Sequence, residues 1–207
     1  MKNKIANIKS KFIKLAVQEA MFSGFSPGLL TVVESKMELA PGYSAILFEN
    51  GIKDLVLEYE ELQNSLLAKP APLDMRVRDK VALGVKTRLE GDSKSNKIIL
   101  GKLLKFYAHP LNIGLGLKHT WHSVDAIWRF AGDESTDYNY YTKRSLLFAV
   151  YSSTLIYYLS DESKNHQNTW EFLDKRIASV LKIGNLKNWS AGLTKLKNKI
   201  PFIRLIK

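Results

Sequence analysis

Cysteine is absent from the 207 residues. That removes disulfide staples, zinc–thiolate sites and thiol nucleophiles at once, so stability has to come from packing. Proline and glycine are sparse, six and twelve residues, and they stand as isolated punctuation between long periodic stretches. Strand-like alternation is scarce. A membrane span is missing as well. The longest apolar stretch, Ser145 to Leu159, is 15 residues long and includes Ser152, Ser153 and Thr154, short of the roughly 20 apolar residues a spanning helix needs. The lysine-rich start, Met1 to Ala16, has apolar residues at helical spacing rather than a secretory core, so it reads as the first structural helix. With no recognisable presequence, the expected setting is the cytoplasm of a bacterial cell, peripheral at the inner membrane.

The usual marks of catalysis are missing too. His119 and His122 lie three apart and could share a helix face. No Glu-x-x-His motif of a di-iron bundle accompanies them, so no metal is expected. The stretch Asn112-Ile113-Gly114-Leu115-Gly116 lacks the preceding strand and third glycine of a dinucleotide fingerprint and reads as a turn opening a helix. Asp133, Glu134 and Asp137 crowd together, but Ser135, Thr136 and Asn139 among them suit a capped turn before a helix better than an acid–base pair. The expectation is a non-enzyme without cofactors.

What is present is helical periodicity from end to end, which makes the class all-α. Helices are expected near Lys4 to Ser23, from Pro27 onward, Tyr43 to Phe48, Ile52 to Lys69, Asp74 to Glu90 and Ser95 to Tyr107. Further helices follow at Gly114 to Phe130, Tyr140 to Ser160, Thr169 to Lys182 and Asn188 to Lys207. Ser26 is placed to cap the second of these, with Pro27 at its first position. The formal charge of +11 attracts polyanions without choosing among nucleic acid, anionic lipid and an acidic partner.

The run from Leu47 to Val56 after a glycine-containing turn resembles the end of a TetR-type helix-turn-helix head. Such a head needs cations beside its recognition helix to meet phosphate. Tyr43 to Phe48 carries none, and Glu34, Glu38 and Glu49 flank it. DNA is therefore not the expected partner, and Ile46, Leu47 and Phe48 are expected to pack the head against its neighbours. A TetR-type transcription regulator with an apolar ligand is the alternative.

The segment after Asp125 holds Trp128, Ala131-Gly132-Asp133, Ser135-Thr136-Asp137, Asn139, Tyr141-Thr142, Arg144, Thr169-Trp170 and Phe172-Leu173. This set resembles the C-terminal signature of the ubiquinone-biosynthesis accessory family known as the ninth Coq protein, over about 60 residues. The resemblance implies a TetR-like fold without DNA recognition that dimerises, holds an isoprenoid or other lipid, and helps a di-iron hydroxylase reach its quinone intermediate. By matching motif, the family's hydroxylase-contacting patch falls on Ile127, Trp128, Asp137, Tyr140, Tyr141 and Arg144. Eukaryotic members usually show tryptophan where this chain has Tyr140. The long helix from Tyr141 to Leu159 is apolar on nearly every side, which calls for burial. In the light of the resemblance, its Leu146, Leu147, Val150 and Leu155 are the candidate lipid contacts.

The last helix carries Trp189, Leu193, Leu196, Ile200 and Ile203 at spacings of three and four, with six cations including Lys197 and no acid from Leu186 to the end. That combination suits an interfacial helix lying on an anionic membrane. Docking on the protein's own body is the other reading, and Pro201 implies a bend. The expected organisation is a helix-turn-helix-like head at 1–51, a lipid-binding and dimerising body at 52–185 and a basic amphipathic membrane helix at 186–207.

Overall fold

The computed structural model describes residues 2–92, 95–136 and 138–184. The expected membrane helix, with Trp189, Leu193, Leu196, Lys197, Ile200 and Ile203, lies outside the described residues, as does Asp137. Among the described residues there are nine α-helices, two short 3-10 turns and no strand. The helices are α1 Lys2–Ser23, α2 Pro27–Lys36, α3 Ser44–Leu47, α4 Ile52–Ser65, α5 Val77–Glu90, α6 Asn96–Tyr107, α7 Ile113–Phe130, α8 Tyr138–Ser160 and α9 Gln167–Gly184. None of them is long and apolar enough to cross a membrane.

Helix α1 packs on α2, α4 and α6 through Phe12, Ile13, Ala16 and Ala20, a stripe at spacings of three and four. Phe12 meets Phe48 with ring centroids 5.4 Å apart. Each fully buried ring or leucine of this kind contributes about 2 kcal/mol over an exposed one. The head expectation holds for Leu47 and Phe48, which are buried, but not for Ile46, which is 69% exposed. In a helix of four residues, only one side can face inward.

Glu34, one of the acids flanking the short helix, turns inward. It is buried, and its carboxylate accepts from the Ser44 amide at 2.6 Å and the Gly42 amide at 3.2 Å. It therefore ties α2 to the turn that opens α3. Hydrogen bonding from Ser44 and Gly42, against the opposing effect of burial, holds its carboxyl below the usual carboxylate range. Ser26 stands at the start of α2 with extended backbone, and its side chain makes no capping bond.

Helix α7 is the axle of the body, packed on α4, α5, α6 and α8, while α9 closes over α5 and α8. One continuous core runs from Phe12 in α1 to Ile177 in α9. Helix α8 is not buried all round, contrary to its composition. Leu147, Val150, Tyr151 and Tyr158 face the core, but Ile156 is 62% exposed and Tyr141, Ser145 and Ala149 share that outer side. Hydrophobic residues outside the core are common, and composition alone does not say which ones they are.

Asp161, just beyond α8, accepts from the Thr169 hydroxyl at 2.6 Å and amide at 2.9 Å, and from the Ser163 amide at 2.9 Å. Those bonds, led by the Thr169 hydroxyl, hold its carboxyl far below the ordinary range. Free amides in the first turn of α9 thus find an acceptor, which sets the angle at which α9 returns over the body.

Candidate functional site

The turn between α7 and α8 is built from its backbone outward. The Asp133 amide donates to the Trp128 carbonyl and the Gly132 amide to the Arg129 carbonyl, both at 2.9 Å. This doubly bonded helix end requires a left-handed residue at Gly132, whose φ is +86°. The preceding linker is fastened here as well, because the Ala71 amide donates to the Phe130 carbonyl at 2.9 Å.

Arg144, from α8, fills the space beneath the turn and is 1% exposed. Its Nε donates to Asp125 Oδ1 at 2.6 Å and its Nη1 to Asp133 Oδ2 at 3.0 Å. Its guanidinium lies 3.5 Å from the centroid of the Tyr140 ring. Lys143 Nζ donates to Asp133 Oδ1 at 2.5 Å and Ser135 Oγ at 2.8 Å, and the Lys143 carbonyl accepts from the Trp128 indole at 3.1 Å. Burial raises the Asp125 and Asp133 carboxyls, but the hydrogen bonds and charges of Arg144 with Arg129, and of Lys143 with Ser135 and Arg144, outweigh it and hold both below the ordinary range. Two carboxylates, an arginine and a lysine thus neutralise one another inside the turn.

The expected patch residues divide into two groups. Ile127 has no exposed surface and Arg144 almost none, so both lie beneath the turn. Trp128 and Tyr140 are half-buried, whereas Tyr141 is 63% exposed, its ring packed edge-on against Tyr140 at 5.0 Å. The two tyrosines, Thr136 and Pro70 border an open surface groove.

A cavity of about 470 Å³ opens beside the turn. Leu146, Leu147 and Val150 of α8 line it with Val81 of α5 and Ile177 and Val180 of α9, and Trp128, Asp133 and Lys143 form its polar end. Leu155 is not among these walls; it lines a second cavity on the other side of α8. Sequence reasoning missed the α5 and α9 walls, whose signal is the apolar spacing Val77–Val81 and Ile177–Val180. Asp125 was missed as the partner of Arg144, because nothing local marks a pair 19 residues apart.

The two histidines do not form a site together. His119 is buried and its Nδ1 lies 2.6 Å from the Tyr107 hydroxyl, while His122 is exposed. Among the described residues no cluster of three or more His, Asp or Glu is arranged to hold a metal.

Residues 113–184, from the start of α7 to the end of α9, match the family model COQ9. Over that segment the chain is similar to COQ9. The probable ubiquinone biosynthesis protein coq9, mitochondrial, of Dictyostelium discoideum is 34% identical over 138 residues, 65% of this chain and 43% of that protein. The ubiquinone biosynthesis protein COQ9, mitochondrial, of Xenopus tropicalis is 28% identical over 192 residues, 86% and 59% of the two chains. The human COQ9 protein is 38% identical over 76 residues, 37% of this chain and 24% of that one. The chain therefore spans about half the length, or less, of the curated relatives it matches. A TetR transcriptional regulator from Nitrosomonas europaea has the same fold, with a TM-score of 0.62 and 14% identity, covering 84% of this chain and 97% of that one. The all-α, TetR-like architecture is thus shown. The expected placement in a bacterial cytoplasm is overturned, since these COQ9 relatives are mitochondrial proteins of eukaryotes.

Proposed function

We propose that the chain serves ubiquinone biosynthesis as a non-catalytic lipid-binding accessory protein, presenting a polyprenylated quinone intermediate to a di-iron hydroxylase at a membrane surface. One observation carries the reading: in the segment that matches COQ9, the turn that displays Tyr140 and Tyr141 shares Trp128, Asp133 and Lys143 with an apolar cavity. Cavity and turn are thus mechanically one unit. The isoprenoid tail lies against Leu146, Leu147 and Val150, where burial of apolar surface supplies the affinity. The quinoid ring sits toward Lys143 and Trp128.

Tyr141, with Tyr140 behind it, is the docking anchor, because a large rigid aromatic on an ordered base suits an interface hot spot. Arg144 and Ile127 keep that base rigid from inside. The exposed side of α8, with Ser145, Ala149 and Ile156, seats a second copy of the chain. In this scheme residues 1–51 are an inherited head, 52–185 the binding and dimerising body, and 186–207 the basic segment that adsorbs to anionic lipid. Tyr43 to Phe48 supplies no cation for phosphate, so a DNA-binding role has no support from the head.

Titration with decylubiquinone tests the reading. Leu147→Trp, which fills the cavity, is expected to weaken binding at least tenfold, and Tyr141→Lys to leave it unchanged while abolishing recovery of the hydroxylase on co-purification. Equal binding by the Leu147 variant would reject the cavity, and equal recovery by the Tyr141 variant would reject the patch. Deleting 188–207 is expected to end sedimentation with anionic liposomes, and unchanged sedimentation would reject the membrane segment.

A further inference from the structure

The second cavity, about 390 Å³ between α4, α6, α7 and α8, shares no lining residue with the first. Helix α8 separates the two. It turns Leu147 and Val150 toward the first and Phe148, Tyr151 and Leu155 toward the second. The second cavity is polar inside and apolar at its lip, the reverse of a pocket that leaves a ligand's head in water. Glu60, His119 and Tyr151 are buried, while Leu104, Ile113 and Leu117 at the lip are 40%, 50% and 56% exposed.

A chain of hydrogen bonds runs between two buried atoms that have no partner among the described residues, Arg88 Nη1 and His119 Nε2. Arg88, buried, pairs with Glu60. The Tyr107 hydroxyl lies 3.3 Å from Glu60 Oε1 and 2.6 Å from His119 Nδ1. Gly116 permits this approach, since a Cβ there would stand 2.8 Å from the Tyr107 Cβ. Among the described residues His119 Nε2 is buried and has no hydrogen-bond partner. Burial keeps the imidazole neutral by lowering its pKa, so it carries a single proton. The Tyr107 hydroxyl donates to the Glu60 carboxylate, which can only accept, and so accepts from His119 Nδ1–H, which leaves Nε2 as a bare acceptor. A buried ring nitrogen that no donor reaches is rare in folded proteins and points to a missing partner.

We propose that this cavity binds a small uncharged apolar ligand, whose hydroxyl donates to His119 Nε2 and whose hydrocarbon part lies against the Leu104, Ile113 and Leu117 lip. An anionic head is disfavoured by the Glu60 carboxylate in the wall. The site is independent of the lipid cavity, and either can exist without the other.

The test is a titration of the full chain, 15N-labelled at histidine, with 2-nonanol and separately with nonane. The alcohol is expected to shift the His119 Nε2 resonance and bind at least tenfold more tightly than nonane. Leu117→Trp, which closes the lip away from the polar chain, abolishes both responses, and Leu147→Trp in the other cavity preserves them. His119→Phe lowers alcohol affinity to that of nonane. If that variant fails to fold, the wild-type titration and Leu117→Trp decide between them. Equal affinities, an unmoved Nε2 resonance, no binding of either probe, or loss of binding in Leu147→Trp instead of Leu117→Trp would each overturn the proposal.

Discussion

Arg88 and Arg144 are both 1% exposed, and the chain satisfies them in opposite ways. Arg144 binds two carboxylates, each of which has a second cation: Arg129 for Asp125 and Lys143 for Asp133. Arg88 binds Glu60 and, through Nε, the Asn64 side chain at 3.0 Å, while its Nη1 has no partner. The first network is redundant and approaches the surface at the half-buried Tyr140, against which the exposed Tyr141 packs. The second is minimal and ends inside a cavity at His119. A redundant network keeps its shape when one contact is lost, whereas an incompletely bonded one retains capacity for a further partner.

Removing the two arginines separately breaks this comparison most directly. Arg88→Met leaves Glu60 buried with no other cation, and should destabilise the fold by about 4 kcal/mol in chemical denaturation. Adding Glu60→Met should restore most of that loss, since removing both charges removes the stranded one. Arg144→Met should cost less, about 3 kcal/mol, because Asp125 and Asp133 retain Arg129 and Lys143. An Arg144 loss larger than the Arg88 loss would contradict the ranking. Gly132→Ala should cost about 1–2 kcal/mol through its left-handed backbone alone, a Tm decrease of roughly 2–8 °C for a chain of this size.

The pH dependence separates the two regions more finely. The His119 pKa is lowered from its ordinary 6.5, so below that pH the unfolded chain takes up a proton that the folded one refuses, and stability falls as acid is added. Asp125 and Asp133 are held below their ordinary 3.8, so their contribution is present above that value and is lost as pH falls through the folded values. Denaturation followed against pH should show two descending phases. His119→Phe should remove the upper phase and leave the lower one.

The helices and the turn were legible in the sequence because local chemistry writes them. Glycine at Gly132, the Ser135-Thr136 pair and the spacing of apolar residues each act within a few positions. The roles of Ile127 and Arg144 were not legible, since a motif marks where residues matter and not which way they face. Leu155 was assigned to the same cavity as Leu146, Leu147 and Val150 for a related reason: one helix presents two sides, and composition does not say which neighbour each meets. Glu34 read as a surface acid because its partners are backbone amides eight and ten residues on, which no side-chain pattern announces. The α5 and α9 walls and the Glu60–Arg88–Tyr107–His119 chain join distant helices and emerge only when the body is packed.

The central claim is that the cavity beside the α7–α8 turn holds an isoprenoid lipid. Mass spectrometry of lipid extracted from the purified full chain, wild type beside Leu147→Trp, tests it most directly. A polyprenylated species present in the wild type and depleted at least tenfold in the variant is the expected result. Equal amounts in the two proteins, or no such species in the wild type, would contradict it.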